Sequence, residues 1–488
     1  MKSRFDAFFH ISERGTSLKK EIVGGLLSFV AMSFVIPLIA EMMSSMGMNR
    51  AGVFAMVALL SAVCTLIMGL IANFPLVVSC SIAVSAYLAY TLSSLAFPVW
   101  QQKMIILTLS GIIFFVLSLT PVRRYLLSAI PRGIRGVITA CLGVFLIFIG
   151  LKGTNLIVSD ATNLVKMGSF LDPAVIIGFV TLVLTVGLGF SKRRFLSAWS
   201  IPLGILFAAV VGCVVSTIMI ESRALIRLGN DFVYNYADLK GVATVLPVFP
   251  TYDSSLRFGF DTKAVSEVFL FGAFNGYSNF GADLQAVFTN PLSYVGLFSL
   301  VFIILFDSSA TPLALGQPIG LLNEKGEFVA YRRTILADSA GALVSGPLGG
   351  THMVCYAQSG VGIAYGARTG LSAVIAALAL LAMVFLYPVF SLFTAGSVTA
   401  AALSCVGVTI VLGSLKDIDF HDPLMASIAI LAMVFSVVTY SLINGIGIAF
   451  ILYIAFSLIA KRKENVSAPM LILAILFLAS LILGFLPV

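Results

Sequence analysis

The chain has 488 residues, of which 60% are hydrophobic and 10% charged, with a formal net charge of +8. So little charge among so much apolar surface excludes a soluble globular fold and leaves a polytopic membrane protein. The positive balance does not speak for nucleic acid, because Lys and Arg fall in short clusters between apolar runs, as cytoplasmic anchors do.

Residues 1–21 are polar and basic, show no secretory signal, and are expected to form a cytoplasmic segment. Apolar runs of spanning length follow near 22–43, 51–72, 103–121, 133–151, 173–190 and 199–220. The mixed-charge stretch 221–291 reads as an extracytoplasmic loop. Spanning runs resume at 292–322, 334–348, 369–390, 395–414, 424–443 and 446–460, and 467–487 reads as a C-terminal tail helix. Two further segments, about 75–93 and 350–366, are apolar but interrupted by Ser, Gly and Cys. If both cross, the chain has about fourteen spans, and every basic cluster falls on one side. Those clusters are Arg4, Arg14, Lys19 and Lys20; Arg123, Arg124, Arg132 and Arg135; Lys192–Arg194; Arg332 and Arg333; and Lys461–Lys463. The N-terminus is therefore expected in the cytoplasm and the protein in the cell (inner) membrane.

The chain repeats itself. GLLSFV (25–30) recurs as GLFSLV (296–301), and CLGVFLIFIGLK (141–152) as CVGVTIVLGSLK (405–416). Segments seven spans apart lie in opposite orientations, so the pattern predicts an inverted repeat, 22–220 against 292–488, with a substrate site near the midplane at discontinuous helices. The partner of the sixth span stays open between 424–443 and 446–460, since GFVTLVLTVGLGFSKR (178–193) also resembles GIAFILYIAFSLIAKR (447–462). The broken segments FPLVVSCSIAVSAYLAY (74–90) and GGTHMVCYAQSGVGIAYG (349–366) fit as the third and tenth spans. Non-helical backbone at membrane depth persists only where protein buries it or it lines a cavity.

Asp307 is the one charged residue between Asp283 and Glu324. A carboxylate at the centre of a spanning helix costs roughly 2.5–3.5 kcal/mol on the insertion scale, so Asp307 is expected to have a task, as a ligand group in a polar cavity or as a structural acid bonded to a neighbouring helix end. Thr311 follows one turn later on the same face, where it would bond a ligand, the acid or its own helix. His352 has no second ligand at metal spacing, and the six cysteines read as small buried residues, so no metal is expected. Glu41 reads as solvated at the interface, and Lys152 and Arg368 as interface anchors. No Walker, dinucleotide-binding or nucleophile-elbow pattern is present, which argues against an enzyme, a cofactor and ATP-driven transport.

FFHISERGTSLKKEIVGGLLSF (8–29), GLIANFPL (69–76), LADSAGALVSG (336–346), GARTGLSAV (366–374) and TYSLINGIGIAF (439–450) resemble the AzgA-like purine permeases of the nucleobase:cation symporter superfamily. The resemblance implies fourteen spans in a seven-plus-seven fold with core and gate domains. It also implies nucleobase uptake driven by a cation gradient, usually protons. The family's FDTxGT stands here as FDSSAT (306–311), which implies that Asp307 binds substrate and carries the proton. Asp338 matches a further family acid, either a second coupling group or a helix cap near Arg332 and Arg333. A TSYIES-like stretch with a Glu is VCYAQS (354–359) here, putting Gln358 in its place. Glutamine donates and accepts hydrogen bonds but takes up no proton. Ser85 stands for the usual Asn, SCSIA (79–83) for a Pro-Gly-rich turn, and Ile39, Ala40 and Glu41 for Asn-Pro-Gln. These departures cluster at the pocket, which implies a changed substrate, a changed coupling ion, or both. The base is expected to meet Asp307, Gln358, Ser85 and Thr311, and backbone N–H groups near Ser81–Ser85 and at Ala357, Ser359 and Gly360. The expectation is a secondary-active nucleobase permease, with a homodimer as one assembly open to it. The alternatives are a same-fold permease for another small solute, such as an organic or inorganic anion, and a membrane receptor.

Overall fold

The fold is that of a computed structural model, which describes residues 4–94, 97–120, 123, 125, 129–160, 164–193, 196–197, 199–221, 225–228, 232–235, 259–316, 339–393, 395–462 and 466–484. Among them, eight helices are long and apolar enough to cross a membrane: Leu18–Ser44, Arg50–Ala72, Trp100–Leu119, Arg132–Gly153, Ser200–Met219, Pro291–Ser308, Gly370–Phe393 and Leu442–Ile459. Shorter apolar helices run Ile82–Thr91, Pro173–Gly189, Pro423–Val438 and Ala468–Ile482. The span expected at 334–348 is described only from residue 339 and is helical over 339–345.

The first span is not straight. Helix Leu18–Met32 stops and Val35–Ser44 begins, because Pro37 lacks an N–H and its ring opposes the carbonyl of residue 33. Two β-hairpins were not expected from the sequence. Ile157–Asp160 pairs with Leu164–Met167, and Leu225–Leu228 pairs with Phe232–Asn235, both rich in β-branched and aromatic residues. The stretch 221–291 is thus no plain loop, for it also holds helices Thr262–Val268 and Phe280–Thr289.

The chain divides into two compact units, each drawn from both halves of the sequence: Met1–Arg124 with Arg257–Tyr387, and Tyr125–Leu256 with Pro388–Val488. The first unit holds both broken segments. Helix Arg50–Ile67 runs into a π-turn, Met68–Ala72, that ends at Asn73 in the left-handed region, which Asn tolerates better than most residues. Pro75 then biases Phe74 towards extended backbone, and strand Val78–Cys80 follows. It pairs antiparallel with Met353–Cys355 in the register Val78↔Cys355, Ser79↔Val354, Cys80↔Met353. Short helices Ile82–Ala86 and Ser359–Tyr365 continue from the two strands.

The N-terminal segment is tied into this unit. The Arg14 guanidinium donates to the carbonyls of Asn73 (2.6 Å) and Arg368 (3.0 Å), and the Thr16 hydroxyl to that of Gly366 (2.8 Å). Buried Glu21 accepts from the N–H groups of Arg368, Thr369 and Ser372, capping helix Gly370–Met383 where a negative charge is favoured.

In the second unit helix Arg132–Gly153 packs along Gly396–Ser414. They meet at glycine. A Cβ on Gly407 would lie 2.5 Å from the Gly143 carbonyl oxygen, and one on Gly143 would lie 2.8 Å from that of Gly407. Helices Pro173–Gly189 and Pro423–Val438 start alike, with Asp172 and Asp422 accepting from the N–H of Ala174 and Leu424, and proline at the first helical position.

Candidate functional site

The site is built on the two broken segments. Two strands make a ribbon with unpaired outer edges, and in an apolar interior each orphaned N–H or C=O costs several kcal/mol. Side chains close those edges. The Thr65 hydroxyl donates to the carbonyl of Val78 and accepts from its N–H, both at 3.0 Å. Buried Ser359 accepts from the N–H of Val77 at 2.8 Å. The hydroxyls of Ser61 and Ser79 lie 2.7 Å apart. The ladder also extends beyond the strands, from Ser81 N–H to the His352 carbonyl and from Tyr356 N–H to that of Val77.

Ser81 then does two things with one hydroxyl. Its oxygen accepts from the N–H of Val84 at 3.1 Å, capping helix Ile82–Ala86, and its proton goes to Asp307 Oδ2. Asp307 is partly buried on helix Pro291–Gly316. Among the described residues no Lys or Arg pairs with it, and its Oδ1 takes no hydrogen bond. A carboxylate held by one oxygen, with the other unclaimed, can accept an N–H edge or a proton.

The other expected residues fall around this pair in different ways. Ser85 is buried and its hydroxyl is bound inward, to the Ser81 carbonyl (2.7 Å) and the Thr351 hydroxyl (2.9 Å). Ser359 holds the ribbon. The N–H groups of Ser359 and Gly360 donate to the carbonyls of Tyr356 and Ala357, so neither is presented to a ligand. Ala357 is exposed and Gln358 partly buried at the start of helix Ser359–Tyr365, where Gln358 makes no side-chain cap. The Tyr356 hydroxyl donates to the Cys80 carbonyl at 2.5 Å, linking this segment to the residue before Ser81. Thr311 lies within helix Pro291–Gly316, but its side chain lies outside the described residues, as does all of Asp338.

Ser81, the partner of Asp307, is expected from the sequence only for its backbone N–H, since one hydroxyl among many carries no signal. Arg123, read as a basic surface anchor, is buried instead. Its guanidinium donates to Ser308 at 2.8 Å and lies over the Phe114 ring. Glu41 is not left to solvent, because it pairs with Arg50 at 2.7 Å. His352 is buried between Ser110 (3.0 Å) and the Ala342 carbonyl (3.1 Å). Among the described residues no cluster of His, Cys, Asp and Glu has metal-binding geometry.

Residues 19–454 match the family Xan_ur_permease, described as a permease family. The chain belongs to that family. Xan_ur_permease proteins are transporters and not enzymes, and with its apolar helices this member is a multi-pass membrane protein. It is 26% identical to the adenine permease AdeP of Escherichia coli K12, over 97% of this chain and 95% of that one. It is 27% identical to the guanine/hypoxanthine permease GhxP of E. coli O157:H7, over 96% and 95%. With the nucleobase transporter PlAzg2 of Paenibacillus larvae it shares 25% identity over 90% of this chain and 77% of that protein. The kinship read from the sequence blocks is therefore met. Among solved structures the fold is similar to the transmembrane domain of the cyanobacterial bicarbonate transporter BicA, with a TM-score of 0.55, 15% identity, and coverage of 88% of this chain and 97% of that one.

Proposed function

We propose that this permease is a secondary-active importer of a nucleobase, a purine or a similar planar heterocycle, coupled to protons and working by alternating access. The observation that carries this reading is the carboxylate of Asp307, held through one oxygen by Ser81 at the break of a span. Asp307 would accept the N–H edge of the base and carry the coupling proton. Gln358 and the N–H groups at Ala357 and Gln358 would meet another edge. Ser85 and Ser359 would keep the broken segments in shape, and Asp338 is a second candidate for coupling. The names of AdeP, GhxP and PlAzg2 as adenine, guanine/hypoxanthine and nucleobase transporters support the substrate class.

The same reading includes fourteen spans as an inverted seven-plus-seven repeat. Two reciprocal contacts support it. Ser79 faces Val354 at the centre of an antiparallel ribbon built from the third and tenth segments, and Gly143 faces Gly407 between the repeated CLG and CVG motifs. Corresponding residues meet when a two-fold relates the halves. The matching Asp-Pro starts at Asp172 and Asp422 favour 424–443 as the partner of the sixth span. We take the N-terminus as cytoplasmic, from the basic clusters.

BicA's name favours an anion as the second reading, and neutral Gln358 is consistent with one. Asp307 weighs against it, since an anion there would face an uncompensated carboxylate. Uptake of labelled adenine and hypoxanthine into vesicles, under imposed proton or sodium gradients, separates these readings. Base uptake that rises with an inward proton gradient and collapses with a protonophore is expected. Uptake that follows sodium alone removes the proton, and competition by bicarbonate or organic acids but by no base removes the nucleobase.

A further inference from the structure

An open surface pocket of about 300 Å³ lies in the first unit, lined by Asn49, Trp100, Gln101, Glu267, Asn275 and Tyr277 together with glycine backbone. Helix Leu18–Ser44 separates it from the N-terminal segment, which sits at the other end of that helix. Asn49 precedes Ser61, the partner of Ser79, by twelve residues of helix Arg50–Ile67, which is ~18 Å along the axis at 1.5 Å per residue. The pocket is therefore separate from the Asp307 site. Its volume is at the low end of small-ligand pockets, ~300–1,000 Å³.

The walls are held in place by specific contacts. Asp261 caps helix Thr262–Val268 through the N–H of Ala264 at 3.0 Å. Leu270, Phe271 and Gly272 then run consecutively at positive φ, of 47°, 61° and 83°. This folds the chain back, so that Glu267 and Asn275–Tyr277 line one space. Left-handed backbone at two bulky non-glycine residues is rare and collects at ligand sites. The Tyr277 hydroxyl donates to Asp283, which also accepts from Gln102 at 2.7 Å, and this fixes the Tyr277 ring.

The chemistry of the lining is selective. Asn49 Nδ2 donates to Glu267 Oε2 at 2.6 Å, while Asn49 Oδ1 is used on the N–H of Gly52. Among the described residues Glu267 Oε1 takes no partner and no Lys or Arg pairs with this carboxylate. Glu267 and Asp283 disfavour an anion, and the polar lining disfavours a lipid chain. Two aromatic side chains, a carboxylate oxygen and the amides of Gln101 and Asn275 suit a flat ring with N–H donors and ring-nitrogen acceptors on its edge. The floor also leads to the broken span. Leu270 N–H donates to the Pro347 carbonyl at 2.7 Å, and a Cβ on Gly349 would lie 3.2 Å from Val268. The turn 346–350 leads directly into strand Met353–Cys355.

We propose that this pocket is a second binding site for a planar, N–H-bearing heterocycle, a capture site that loads the permease before the base reaches Asp307. The ligand class rests on the nucleobase reading above. Trp100 and Trp199 are the two tryptophans of the chain, so Trp199→Phe leaves Trp100 as sole reporter in the full-length protein. Titrated adenine or hypoxanthine should quench Trp100 saturably, and the quench should survive Asp307→Asn. Glu267→Gln should raise its half-saturation about tenfold, the scale of one hydrogen bond to a charged group. The same substitution should raise the KM of uptake and leave the maximal rate unchanged. Wild-type uptake with an unresponsive Trp100 would overturn the second site and leave the transport reading standing. A quench abolished by Asp307→Asn would also overturn it, since the emission would then be following the Asp307 site. No uptake and no quench with any base would remove the nucleobase reading, and this site's ligand with it.

Discussion

The two units differ in how far their hydroxyls reach. In the first, hydroxyls reach across the sequence, from Ser61 to Ser79, Thr65 to Val78, Ser81 to Asp307, Ser85 to Thr351 and Ser359 to Val77. In the second, Thr154, Thr409 and Ser414 bond back to carbonyls of their own helices, and the main helix pair closes on glycine. The difference follows from the backbone. A continuous helix satisfies its own N–H and C=O groups, so most of its hydroxyls bond back to it, with Ser404, which reaches the Ile147 carbonyl at 3.5 Å, an exception. A broken span frees those groups, and side chains from other segments must take them. The polar network of the first unit is thus the consequence of breaking two spans.

Removing the one acid in that network is the most severe way to test the contrast. Asp307→Asn keeps the shape and an acceptor for Ser81, but removes the charge and the titratable proton. Concentrative uptake should fall to background while the protein is still made and inserted, which uptake assays and membrane immunoblots would report together. Near-normal accumulation would mean that the network is only structural.

Gln358→Glu tests the same unit more gently. It adds a charge and a titration where the chain has a neutral amide. A buried polar group left unpaired costs ~1–3 kcal/mol, so the ranking of competing bases should shift by about ten- to a hundredfold, with the folded state little changed. Affinity for adenine, guanine or hypoxanthine should rise and that for the native substrate fall. Unchanged competition curves would place Gln358 away from the ligand.

Much of the architecture was legible because lipid imposes one strong rule, about twenty apolar residues per spanning helix. Runs such as 133–151 and 446–460 match Arg132–Gly153 and Leu442–Ile459 closely. The interruptions at 75–93 and 350–366 were legible too, since Ser, Gly and Cys break the apolar runs there. Asp307 stood out as a lone charge. What stayed hidden depends on long-range geometry. Nothing near Ser81 announces that it will meet an acid 226 positions away. Arg123 looks like any basic anchor until its packing over Phe114 and against Ser308 is seen. Residues 1–21 read as a plain basic tail, though Arg14, Thr16 and Glu21 bond to the turns at Asn73 and Gly366–Ser372. Hairpins such as Ile157–Met167 carry only a few residues of alternation, too short to outweigh the helical pattern around them.

A change in the second unit should act on stability and leave selectivity alone. Gly407→Ala places a methyl group 2.5 Å from the Gly143 carbonyl oxygen. The helices must part, and overpacking of this kind typically costs ~1–3 kcal/mol. Thermal unfolding in detergent should move down by several degrees, while base competition by the surviving protein stays the same. A selectivity change without a stability change would contradict the division drawn between the units.

The smallest effect is expected at the start of helix Pro423–Val438, outside the apolar spans. Asp422 accepts from the N–H of Leu424 and pairs with Arg462 at 2.7 Å. The hydrogen bond from Arg462 holds its carboxyl below the ordinary carboxylate range. A carboxyl whose pKa is depressed by folding stabilises the protein in its ionised form, so its contribution is complete above the unfolded value, ~3.9. It is lost as pH falls through the lower folded value. Asp422→Asn keeps a good cap and loses the ion pair, which at a solvent-accessible position is worth ~0–1 kcal/mol. Asp422→Ala loses both, for about 1 kcal/mol more. The gap between wild type and Asp422→Asn should therefore be small and flat at neutral pH. It should narrow below about pH 4 and shrink in high salt, where exposed pairs are screened. Melting curves at several pH values and ionic strengths measure it directly. A gap that widens in acid would mean that the pairing with Arg462 does not persist in the folded protein.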